Sequence, residues 1–598
     1  MTESKIIKKN GRPVFSVNGE VIEPCAYITY FEERSCYNDF ADAGYKLFSV
    51  NTAFSSLPLN SSTGFAPFYG IFDNKEKPDF SKFDRDIHRV LSADKNAYIF
   101  PRVSVTMPQW WVDSHPNETV SCPDGNRREA LYSESFLQTG DEMLKKFIRH
   151  VQSSDYAENI IGYQIAGGYT QEWFHFDFNG SVSGCTEIMF GKYLKKYYPN
   201  EYPGFIKAPA DCNFSGLGMI EDIFLQRYIE FVNASVAETI AHFAAAIKEL
   251  TFHKQTVGTF YGYCLETVNP LSGTHALSTL LDCPDIDFFC SPVGYIHTRP
   301  LGYDWSDMTV GESIKLHNKM YFLECDIRTF LSDYPGNCRA GADPQKKYTG
   351  AVWKGPETAE LSVSAIRKAF YRQLTHSNGL WWFDMWGGWY SHPLLMAEMK
   401  QFRQIIEEDI LNDTPYTQAD VALFADEKIY RKLCRGQPIC NVQSDIRIAL
   451  GNTGIPYDSL FISDMKECIK YKAIILPIPF DTEETVRLKE ICRKHGIPVL
   501  QASFEKSVFS PEELRDFLKG AGVWCYCESN DVIYKGRGYI CIHAASGGEK
   551  EISLEKTYKI TPVNQQIEPF ASNKIRLYMK QFETSAFKIE HLKRTDRS

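Results

Sequence analysis

The chain has 598 residues, 43% hydrophobic and 23% charged, an ordinary globular composition for about two to four domains. A net charge of −10 and a pI near 5.9, with no basic stripe, argue against a nucleic-acid partner or an anionic membrane surface. No apolar run reaches the roughly 18 residues of a membrane span, and Met1–Asn10 has no apolar signal-peptide core.

From residue 24 the chain alternates apolar strands with helices or long loops. Expected strands lie at 24–31, 45–53, 97–105, 159–165, 255–264, 286–291, 320–325 and 378–385. Expected helices lie at 36–43, from Asp79 with Ser81 as a candidate cap, and near 139–152, 219–250 and 359–375. An Asn18-Gly19 turn precedes them. Eight apolar strands in this alternation predict a (β/α)8 barrel over residues 1–413. The pattern then changes to a smaller open α/β sheet at 414–540, with strands at 419–424, 473–477 and 496–500. It carries neither a glycine-rich phosphate loop nor a Gly-x-Cys-x-Gly elbow, which favours a structural or oligomerising module. Short strands from 541 to 598 predict a small β domain with a frayed end at 593–598.

Two strand ends carry carboxylates. Past strand four, Gly167-Gly168-Tyr169-Thr170-Gln171-Glu172-Trp173-Phe174-His175 loosens at two glycines and sets Glu172 among aromatics. Desolvation there raises a carboxyl toward the range of a general acid, although a loop glutamate that only bonds neighbouring backbone fits the same residues. At the end of strand seven, Glu324, Asp326 and Arg328 fall on one face of an extended chain, so Arg328 is expected to keep Glu324 ionised. A protonated and an ionised carboxyl about 5–5.5 Å apart are what retaining glycoside hydrolysis requires. Glu324 is then the nucleophile, and a structural Glu324–Arg328 bridge is the alternative.

Other residues fall beside these. Arg102, ending strand three, could orient a carboxylate or serve structural pairing. Tyr295, past strand six, could bond the nucleophile. His175 could contact hydroxyls or simply pack. On strand eight, alternation turns one of Trp381 and Trp382 inward, with Trp382 taken as the sugar-facing one; Asp384 could bind a hydroxyl or cap a loop. Aromatic content of 14% suits sugar rings and large cores alike. The 17 cysteines are scattered without a Cys-x-x-Cys pair, so a reducing, cytoplasmic setting with no metal and no cofactor is expected.

Eight strands with carboxylates after four and seven resemble the clan A retaining glycoside hydrolases. The layout of (β/α)8 TIM barrel, Rossmann-like α/β domain and small C-terminal β domain resembles the family forty-two β-galactosidases over nearly the whole chain. That resemblance implies Glu172 as acid/base, Glu324 as nucleophile, a carbohydrate substrate and a homotrimer. It places Gln171 where many clan members have an asparagine, with Trp173 beyond Glu172. The Gln171 substitution and the Glu-Cys-Asp-Ile-Arg-Thr strand-seven motif depart from the galactosidase pattern. They leave β-mannoside, another β-glycoside or a non-catalytic sugar-binding role open beside β-galactoside.

Overall fold

A computed structural model describes residues 1–57, 69–122, 125–177, 183–201, 218–295, 299–343, 346–412, 418–434, 441–563, 565 and 567–592. The expected 413 boundary and the 593–598 tail lie outside these residues. The eight strands close into a barrel: Cys25–Thr29, a second strand split into Leu47–Phe48 and Asn51–Ala53, and a third split into Tyr98–Ile99 and Arg102–Ser104. Then follow Gly162–Ala166, Thr256–Phe260, Phe288–Pro292, Met320–Cys325 and Gly379–Asp384. The sheet runs from the second halves of strands two and three, around through eight and one, to their first halves. The ring closes on itself. All its pairings are parallel, so every strand's C-terminal end opens on the same mouth.

The helices between strands are held as the sequence dictates. The Asp222 carboxylate accepts from Leu225 N at 3.1 Å to start Ile223–Leu250, and Thr358 Oγ1 accepts from Leu361 N at 3.2 Å to start Ala359–Thr375. Ser81 is not a cap. It is the first residue of Ser81–Ala93, and the Asp79 carboxylate accepts its N–H at 2.9 Å.

The N-terminal strands Ser4–Lys9, Arg12–Val17 and Glu20–Ile22 turn at Asn10-Gly11 and Asn18-Gly19, where all four residues have positive φ. They plug the barrel's lower end: the Phe15 ring lies 5.9, 6.0 and 6.2 Å from those of Phe100, Phe288 and Phe322.

The second sheet is parallel, in the order Tyr457–Phe461, Val421–Ala425, Ala473–Leu476, Val499–Gln501. Tyr457–Phe461 escapes a hydrophobic reading because Asp458 and Ser459 interrupt it; both are buried and bonded, Asp458 to Tyr471 OH at 3.1 Å and Ser459 N to Glu312 at 2.8 Å. The five-stranded antiparallel C-terminal sheet starts at Val532, so the expected 540/541 boundary falls inside its second strand, Tyr539–His543. Arg537 and Gly538, at φ +52 and +73, make the tight turn that joins Val532–Gly536 to that strand.

Asp409, on Pro393–Leu411, ties three parts together. Its carboxylate accepts from Arg12 Nε at 2.6 Å and Arg537 Nε at 2.8 Å, all three side chains being almost fully buried. Asp409→Ala leaves two guanidiniums uncompensated, and denaturant unfolding is expected to show a loss of about 3–5 kcal/mol. A loss below about 1 kcal/mol, the worth of an exposed pair, would rule out that hub.

Candidate active site

The loop after strand four folds back on the strand that feeds it. Gly167 N bonds Gln171 O at 3.3 Å, Trp173 N bonds Gly167 O at 2.8 Å, and Tyr169 N bonds Phe174 O at 2.9 Å. This knot requires both glycines. A Cβ on Gly167 would meet the Trp173 ring at 2.6 Å, and Gly168 sits at φ +64 with its Cβ position 2.5 Å from Phe174 O. Thr170, Gln171 and Trp173 also have positive φ, at 61, 71 and 59. Three non-glycine residues held there cost on the order of 1 kcal/mol or more each, a strain typical of functional loops.

The knot puts Glu172 at the barrel mouth. Its carboxylate accepts from Thr170 Oγ1 and has the Tyr263 hydroxyl as a polar neighbour, with the Phe174 ring 4.9 Å from that of Tyr263. Burial pushes the carboxyl up to about 8; the Thr170 bond opposes this, and the charge of Glu324 adds to it.

Glu324 ends strand seven, 2% exposed. Its cation is Arg102, not Arg328: Arg102 Nη2 bonds Glu324 Oε2 while Nε donates to Gln164 Oε1 and Nη1 to Tyr30 OH, both at 2.9 Å. Phe260, Trp381 and Phe383 surround the guanidinium, 4.9, 4.9 and 5.2 Å from their ring centres. Burial raises Glu324 to about 7 against the pull of Arg102, so the expectation of a low value does not hold. The Tyr30 hydroxyl donates in turn to Gln171 Oε1 at 3.0 Å, giving an unbroken path from Glu324 to the loop that carries Glu172.

Arg328 instead bonds Asp326, Nη1 to Oδ2 at 3.1 Å. Asp326 also binds Arg299 and the Tyr295 hydroxyl, so Tyr295 bonds Asp326 and not the nucleophile candidate. The turn after Glu324 breaks the extended face: Asp326 N bonds Glu324 O at 3.2 Å, and the alternation assumed for Arg328 ends there.

Several expected residues lie away from the mouth. The Trp173 ring is fully buried beneath Gly167, stacked 6.4 Å from Phe243. His175 packs on Tyr132 at 5.7 Å with Nδ1 3.1 Å from Asp177 O, and burial lowers its pKa. Trp382 points outward, Nε1 bonding Tyr45 OH at 3.1 Å and the ring stacking 6.0 Å from Phe402. Trp381 is the inward one, because it stands in register with Glu324. Asp384 caps a loop, accepting from Tyr27 OH at 2.9 Å, Gly388 N at 2.9 Å and Trp389 N at 3.1 Å. Tyr30, Gln164 and Tyr263 are absent from the sequence expectations; Tyr30 and Tyr263 follow the ends of strands one and five, where barrel position alone flags them, and Gln164 lies midway along strand four in register with Arg102.

Among the described residues no helix is long and apolar enough to cross a membrane. No protein-family model matches the chain, and no curated protein matches it by sequence. Solved structures do. A β-galactosidase of the Antarctic haloarchaeon Halorubrum lacusprofundi matches at TM-score 0.63 and 12% identity, covering 94% of this chain and 98% of its own. A family 42 β-galactosidase of G. stearothermophilus matches at 0.63 and 10%, covering 95% and 98%. A family 42 exo-carrageenase of Bacteroides ovatus matches at 0.61 and 12%, covering 99% and 85%. The fold is therefore that of the barrel glycoside hydrolases. Within that class it is the layout found in family 42, a (β/α)8 barrel followed by an open α/β sheet and a small β sheet.

Proposed function

We propose that the chain is a retaining, exo-acting β-glycosidase of short oligosaccharides, with β-galactosides as the first substrate class. The observation that carries this reading is the pair itself: Glu324 held by Arg102 at the end of strand seven, and Glu172 raised into the proton-donor range past strand four. Glu324 attacks the anomeric carbon as the C–O bond to the leaving group breaks, and Glu172 protonates the departing oxygen. Water then attacks the glycosyl-enzyme, Glu172 takes its proton, and the Glu324 ester opens. Tyr30, Tyr295 and Trp353 are partly exposed aromatics near these groups and, with the buried Tyr263, suit the walls of a sugar site. Both neighbours named as β-galactosidases support the substrate class.

A panel of nitrophenyl glycosides in both anomers tests it. Release from a β-glycoside with retention, followed by NMR of the first-formed sugar, is the expected outcome. Turnover of α-anomers only, or a product of inverted configuration, would sink it.

A further inference from the structure

A cavity of about 580 Å³ opens beside strands one and two, within the usual range of small-molecule sites. It adjoins the candidate active site, because Tyr30 lines it and bonds Arg102 and Gln171. Its lining carries a partly buried cluster of charged side chains. Lys82 Nζ lies 3.0 Å from Glu32 and also bonds Asp86, and Arg339 stands 4.0 Å from Glu32. Glu32 and Asp86 are 3% and 4% exposed. A second observation turns this cluster into a binding feature. Asn51, 6% exposed, lines the cavity with a buried Oδ1 that has no partner among the described residues. Asn51 stands in register with Arg102, on the inward face of the barrel. An orphaned buried acceptor is costly, and a ligand donor removes the cost.

The lining also states what kind of ligand fits. Four carboxylates (Glu32, Asp73, Asp79, Asp86) face four cations (Lys77, Lys82, Arg85, Arg339), so the cavity has no surplus charge to select an ion. It offers fixed acceptors and donors side by side, which suits the hydroxyls of an uncharged sugar. The leaving group departs on the Glu172 side, past strands four and five, whereas the cavity lies by strands one and two. We infer that the cavity is a second glycone subsite that holds a neutral sugar attached to the one bonded to Glu324. The substrates are then β-glycosides of disaccharides, and the released unit is a disaccharide. This rests on the glycosidase reading above.

Aryl β-biosides and the matching aryl β-monosides, with products resolved by chromatography, test the inference. The expected result is nitrophenol released without lag together with intact disaccharide, at a kcat/KM about tenfold above the monoside, the worth of one or two net hydrogen bonds. Asn51→Ala and Lys82→Met, checked for unchanged melting, should bring the ratio near one. Monosaccharide released first, or an equal ratio in native protein and variants, overturns it. If no glycoside is cleaved, the glycosidase reading fails, and calorimetry with free β-linked disaccharides judges the cavity separately. Binding weakened about tenfold by Asn51→Ala upholds a sugar site there, and no binding removes it.

Discussion

Glu324→Ala is expected to lower kcat by on the order of 10⁴-fold or more on any β-glycoside the native protein cleaves, because the variant has no atom to form the covalent intermediate. The geometry sharpens the expectation. Arg102 makes bonds to Gln164, Tyr30 and Glu324, and only the last is lost in the variant. The guanidinium stays in place between Phe260 and Trp381, so the pocket keeps its shape and gains room where the carboxylate was. Sodium azide should enter that room and attack the anomeric carbon from the nucleophile's side, restoring turnover with α-glycosyl azide as product. Mass spectrometry and NMR of the product read this directly. Rescue that gives the β-azide would mean that the intermediate still forms and that another group is the nucleophile. Activity within tenfold of native would remove Glu324 from the mechanism.

The barrel was legible because most of its strands are apolar runs bounded by a turn or a helix start, and parallel strands buried on both faces leave that signature plainly. The placement of Glu172 and Glu324 at the barrel mouth was legible because position past a strand's C-terminal end follows directly from the strand assignment. Their partners were not. Arg102 and Glu324 are 222 residues apart, and pairing across the barrel depends on register between strands that no local pattern encodes. Local alternation suggested Arg328 instead, and the turn after Glu324 undid it. Trp381 and Trp382 show the same limit: alternation fixes that they face opposite ways, and only the pairing of Trp381 with Glu324 fixes which faces inward. The strand Tyr457–Phe461 was hidden because its polar residues are buried against partners distant in sequence, Glu312 among them.

Glu172→Gln should separate the two half-reactions and reshape the pH profile. On the mechanism proposed above, the first step in the native protein needs Glu324 ionised and Glu172 protonated. With Glu324 raised to about 7 and Glu172 to about 8, kcat/KM should rise as pH passes the first value and fall as it passes the second. Each carboxyl feels the other's charge, so the limbs report the pair rather than either group. The amide removes the falling limb for a nitrophenyl leaving group, which departs without a proton, and leaves a single rising limb. The amide is neutral, as protonated Glu172 is at the pH where Glu324 ionises, so that limb should stay near its native position. Substrates with sugar leaving groups should lose about 10²–10⁴-fold, the usual worth of positioned acid catalysis. Azide should rescue the second step by opening the glycosyl-enzyme from the face where Glu172 stood, giving the β-glycosyl azide, opposite in configuration to the Glu324→Ala product. An alkaline limb that survives in Glu172→Gln would assign the proton to another group, with Tyr263, a polar neighbour of Glu172, as the alternative.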